Sequence, residues 1–154
     1  MSFRITGLPA KPFDELFSLS DEALASRRAM RVVVDREHGY PCRISLTDAE
    51  PGQTVVLLNY EHQPADSPFR SNYAIYIREG EQQYDEIDLV PDQLRRRLLS
   101  VRGFDEHGML RDADVAQGTA LEPLIERLFD NDDIAYLQVH IARPGCYAAR
   151  VDRA

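Results

Sequence analysis

Residues 135–151 read Ala-Tyr-Leu-Gln-Val-His-Ile-Ala-Arg-Pro-Gly-Cys-Tyr-Ala-Ala-Arg-Val. Ala135–Ile141 alternates cleanly. Leu137, Val139 and Ile141 fall on one face, and Tyr136, Gln138 and His140 on the other. That period of two is the signature of a strand with two unlike faces. Arg143-Pro144-Gly145 turns the chain, and Cys146–Val151 returns as a second strand. Two strands joined by so short a turn run antiparallel, because a parallel pair needs a crossover of about a dozen residues or more.

The same grammar extends upstream. Asp105-Glu106-His107-Gly108 predicts a hairpin turn between a strand at Leu99–Phe104 and its return from Met109 to Val115. The apolar middle of Thr54–Tyr60 predicts a strand buried on both faces, hence central in its sheet. Arg31–Asp35, Cys42–Leu46 and Tyr73–Arg78 read as further strands. Three short helices are expected. One runs from Ser18 to Met30 with Ser20 as its N-cap. Another starts at Pro91. The third carries Leu124, Ile125, Leu128 and Phe129. Thr119 and Glu122 match a capping box for it, although Pro123 would then sit at the fourth helical position. Regular βα alternation is absent. The predicted fold is α+β, a mainly antiparallel sheet of about seven strands with two or three short helices packed on it, in one domain over residues 1–154.

The chain has 154 residues and a formal net charge of -8. That is enough length to build a core without disulfides or a structural metal. The acidic balance argues against nucleic acid as the main partner, since such binding rests on Lys and Arg neutralising phosphates. Arg95-Arg96-Arg97 is a local basic cluster, read here as a solvated face of one element. The 18 basic residues comprise 17 Arg and only Lys11. Any anion site must therefore be built from guanidinium forks or backbone N–H groups. The N-terminus lacks the apolar run of a signal peptide, and the longest strictly apolar run, Val55–Leu58, is far too short to span a bilayer. A cytoplasmic protein without membrane partners is expected, with Cys42 and Cys146 reduced.

Three constellations could carry chemistry. The polar stretch from Tyr60 to Tyr73 holds His62 and Arg70, and Glu61 to Asn72 reads as a loop of about a dozen residues, near the length at which loops become functional. Arg70 could clamp an anion bidentately and His62 could move a proton, with Arg43 joining them. This supports a binding module for a small anionic ligand, with no cofactor implied. Alternatively, Cys146 or Cys42 serves as a nucleophile with His140 or His62 as base, His140 and Cys146 meeting across the Pro144-Gly145 turn. Cys42, His62, His140 and Cys146 are also zinc-ligand types, but their spacing matches no zinc pattern, so no metal is assigned. Asp130-Asn131-Asp132-Asp133 opens like a calcium loop and then fails, lacking the glycine and the final glutamate. An interaction protein or homodimer without a small-molecule site is the remaining possibility.

Four segments together resemble a known family: Tyr40-Pro41-Cys42-Arg43-Ile44-Ser45-Leu46, Asp48-Ala49-Glu50-Pro51-Gly52, Leu57-Leu58-Asn59-Tyr60-Glu61-His62-Gln63-Pro64 and Gly145-Cys146-Tyr147-Ala148-Ala149-Arg150-Val151. The family is the bacterial domain-of-unknown-function family 1203. The resemblance implies a bacterial source and a free-standing single domain. It carries no activity, cofactor or catalytic residue to any position.

Overall fold

The structure is a computed structural model and describes residues 1–154. Nine strands form two antiparallel sheets, with a few short helices on them. The strands are β1 (Phe3–Thr6), β2 (Ala29–Val33), β3 (Thr54–Gln63), β4 (Ser71–Ile77), β5 (Asp85–Ile87), β6 (Leu98–Phe104), β7 (Leu110–Gln117), β8 (Tyr136–Ile141) and β9 (Cys146–Arg153). The larger sheet has the order β5-β1-β9-β8-β6-β7, and the smaller one β2-β3-β4. The helices are α1 (Asp21–Ser26), α2 (Asp92–Arg95) and α3 (Leu121–Phe129), with 3-10 turns at Lys11–Ser18 and Gly118–Ala120. The fold is α+β.

β8 pairs with β9 as the turn at 143–145 requires, with Ile141 opposite Cys146. Leu137, Val139 and Ile141 point into the main core, against Leu121, Leu124, Ile125, Leu128 and Phe129 of α3. Each such buried side chain contributes roughly 1.5–3 kcal/mol. The opposite face of β8 is not open to water: Gln138 and His140 are buried as well. They lie under the end of β3, where Gln138 Nε2 donates to the His62 carbonyl at 3.0 Å. The small sheet therefore covers the polar face of the large one, and Tyr147 of β9 joins the small sheet's core with Val56, Leu58 and Ile75.

Several expectations need correcting. Cys42–Leu46 is no strand. It makes only isolated bridges, Pro41 to Asp48 and Cys42 to Tyr76, and turns through Leu46 at φ 53. Its apolar residues are buried because the segment threads between the two sheets, where its backbone bonds go to β4 and to the N-terminal segment: Arg43 N–H to the Tyr76 carbonyl and Leu8 N–H to the Arg43 carbonyl. β3 runs on to Gln63 through a bulge, so the dozen-residue loop shrinks to residues 64–70. Ser20 does cap α1, accepting from Ala23 N–H at 3.1 Å, but α1 ends at Ser26 and Met30 already belongs to β2. No capping box forms at α3. A 3-10 turn leads into the helix, and Glu122 pairs with Arg95 instead. β1, β5 and the 3-10 turn at 11–18 carried no signal strong enough to predict them.

Candidate functional site

Arg43 organises the region where the sheets meet. Its residue is 1% exposed, yet no carboxylate contacts it. Nε donates to the Tyr147 carbonyl at 2.5 Å, Nη1 to the Pro41 carbonyl, and Nη2 to Cys146 Sγ at 2.9 Å. The guanidinium thus ties the 41–48 segment to β9. Burial pushes its pKa below the ordinary value. It still stays charged, since arginine is not deprotonated in proteins. A buried cation with no carboxylate beside it is costly, because charges in protein interiors are normally paired.

Arg43 and Cys146 line a cleft of about 820 Å³ beside β4, the start of β6 and the β8–β9 turn. Four more arginines line it: Arg36, Arg96, Arg97 and Arg143. His38 and Gln117 also contribute, and no Asp or Glu does. Some of this charge is matched from outside. Asp48 lies 3.0 Å from Arg97, 3.1 Å from His38 and 3.8 Å from Arg96, and Asp35 lies 3.4 Å from Arg36. Arg43 and Arg143 have no acidic partner. Apolar surface comes from Leu57, Tyr73, Tyr76 and Ile141.

A second polar cluster lies between the sheets. His62 Nδ1 donates to Gln138 Oε1 at 3.1 Å, and its ring stacks on Tyr147 at 5.6 Å and 9°. His140 meets His62 edge-on at 5.0 Å. Its Nε2 lies 3.2 Å from Gln138 Oε1 and its Nδ1 3.2 Å from the Gly145 carbonyl. Burial pushes His140 down to about 3 and lowers His62 too, with the Arg102 cation adding to both effects. Both rings are neutral near pH 7, and they serve as packing and hydrogen-bonding groups between the two sheets.

The family model described as Protein of unknown function (DUF1203) matches residues 39–153. The chain belongs to this family. No curated protein and no solved structure shows a significant match. The matched span of the DUF1203 chain contains Arg43, Tyr73, Arg96, Arg97, Arg143 and Cys146, and leaves out Arg36 and His38.

Of the residues singled out from sequence, the structure brings Arg43, Tyr73 and Cys146 to the cleft. Arg70 lies elsewhere, forked onto Glu61 at 3.1 and 3.2 Å on the β3–β4 hairpin with its side chain 57% exposed. Tyr60 packs against Phe13 and Tyr147. His140 and Cys146 do not meet across the turn. Cys146 pairs with Ile141, facing the core side of β8, and its sulfur accepts from Arg43, while His140 faces the small sheet. Cys42 is fully buried, and burial pushes its thiol up to about 12. Both cysteines are free. No three His, Cys, Asp or Glu side chains converge as a metal-ligand set.

Arg36, His38, Arg96, Arg97 and Arg143 escaped sequence reasoning. Arg95-Arg96-Arg97 is not one solvated face. Arg95 pairs with Glu122, while the Arg97 side chain is 12% exposed and locked to Asp48 and the His38 carbonyl. The one usable signal was composition: with a single lysine, any anion site would have to draw on arginines or backbone N–H groups.

Proposed function

We propose that this DUF1203 chain binds a small anionic ligand in the arginine cleft. The observation that carries the reading is Arg43, a buried cation with no carboxylate partner, in a cleft of five arginines and no acidic residue. An anion entering there would supply the missing counter-charge in a site partly shielded from water, where Coulomb attraction is strongest. The guanidinium forks suit carboxylate and phosphate oxygens. The setting favours a compact anion over a polyanion, because the chain as a whole carries -8. A thiol nucleophile with a histidine base has less support, since neither His62 nor His140 bonds to a cysteine.

Thermal melting with inorganic pyrophosphate, sulfate and citrate tests the reading, followed by calorimetric titration of whichever anion stabilises most. A bound anion raises the melting temperature by mass action. Arg143→Ala removes an exposed cation with no partner to orphan, and it should weaken binding about tenfold or more, the typical effect of losing one charge-assisted hydrogen bond. Arg70→Ala should leave binding unchanged. If none of the three anions shifts the melting temperature at millimolar concentration, the proposal fails.

A further inference from the structure

The cleft is larger than a bare anion needs. Its volume of about 820 Å³ lies in the range of sites that enclose drug-sized molecules. Cations gather on it from the stretch after β2, the 41–48 segment, the residues that follow α2 and the β8–β9 turn, but its β4 side is different: Tyr73, Ala74 and Tyr76 line it there, backed by Leu57. Tyr73 is 47% exposed, the one aromatic among the exposed large apolar residues of the chain. Neither Tyr73 nor Tyr76 uses its hydroxyl in a hydrogen bond, although Tyr40 nearby donates to Asp35. Tyr76 is held by Tyr40 at 5.2 Å, and Arg36 lies over the Tyr40 ring at 5.3 Å. Tyr76 and Tyr73 fall on opposite faces of β4, Tyr76 with Tyr40 and Tyr73 on the side of Ile75 and Ile77, so Tyr73 is the one open ring on this strand that lines the cleft, beside cations.

Resting on the anion reading above, we propose that the ligand is an aromatic anion: a phosphate or carboxylate on a planar ring. The anionic group meets Arg43 and Arg143, and the ring lies against Tyr73. An aliphatic ligand of equal size would gain the burial but not the ring–ring geometry, which adds a few-fold in affinity beyond area alone.

Calorimetric titration with matched pairs tests this: phenyl phosphate against cyclohexyl phosphate, and benzoate against cyclohexanecarboxylate, with inorganic pyrophosphate as the ring-free anion. The aromatic member of at least one pair should bind roughly three- to tenfold more tightly, and the pair that shows the preference identifies phosphate or carboxylate as the group recognised. Tyr73→Ala should bring that ratio close to one, and Tyr73→Phe should keep it. Each ratio is taken within one variant, so a general change in stability or charge cancels. If pyrophosphate binds while both ratios stay near one in the wild type, or if Tyr73→Ala preserves the preference, the aromatic inference is wrong and the anion reading stands. If neither pyrophosphate nor any member of the pairs binds, both fall together.

Discussion

At the scale of single residues, Arg43 carries the most consequence. It holds three acceptors from two segments 104 residues apart, counting the Tyr147 carbonyl, and it does so with one planar fork. Lysine cannot reproduce that geometry, because an ammonium is a point charge on a flexible stem. Arg43→Lys keeps the cation and leaves at least one buried acceptor unpaired, a loss of about 1–3 kcal/mol. Urea denaturation should therefore show a lower midpoint at unchanged slope. A midpoint equal to that of the wild type would mean the fork contributes nothing to holding 41–48 against β9. Neither this role nor the cleft was legible in the sequence. Arg43 is one arginine among 17, and its companions Arg36, Arg97 and Arg143 are scattered over the chain with no spacing to connect them. They meet only because the stretch after β2, the 41–48 segment, the link from α2 to β6 and the β8–β9 turn converge.

At the scale of elements, what could be read was what local rules control. The β8–β9 and β6–β7 hairpins follow from alternation and turn residues, and α1 begins where Ser20 caps it. The errors arose where tertiary packing overrides local pattern. Glu61, His62 and Gln63 look like loop, yet they extend β3 because Gln138 and Tyr136 of β8 supply partners: His62 bonds to Gln138, and Gln63 donates to the Tyr136 hydroxyl at 2.9 Å. Cys42–Leu46 looks like strand, yet its burial comes from a threaded turn. The entry to α3 shows the same tension. A Cβ on Gly118 would sit 1.8 Å from the Leu94 carbonyl oxygen, so the 3-10 turn can approach α2 only as glycine. The neighbour is backbone and cannot swing aside. Gly118→Ala should cost at least about 2 kcal/mol, the range of substitutions that force a packed backbone apart. It should also weaken the Arg95–Glu122 pair that joins α2 to α3. A variant with wild-type stability would show that the two helices separate freely.

At the scale of the whole molecule, the two sheets are joined through a neutral histidine pair, and this sets how stability responds to pH. His140 is held near 3 in the folded chain by burial, and His62 is lowered by the same cause. In the unfolded chain both titrate near their ordinary value of about 6.5. Above that pH neither state takes up the proton and the pair contributes nothing to the pH dependence. Below it the unfolded chain binds protons that the folded chain refuses, so stability falls as the pH drops from about 6.5 towards 3. Each such histidine gives a limiting slope of about 1.4 kcal/mol per pH unit. Carboxylates with lowered values, Asp85, Asp88, Asp105 and Glu122, act in the same direction. They do so mainly below their unfolded values of about 4. The interval from pH 6.5 to 5 therefore isolates the histidines. Over it, His140 alone should remove about 1.5 kcal/mol. His140→Gln puts an amide N–H where Nε2 lies, 3.2 Å from Gln138 Oε1, but has no proton to take up, so its stability should be flatter across that interval than the wild type's. Urea midpoints at pH 6.5, 5.75 and 5 decide the matter. Parallel decline in the two proteins would mean that His140 takes up its proton without disturbing the contact between the sheets.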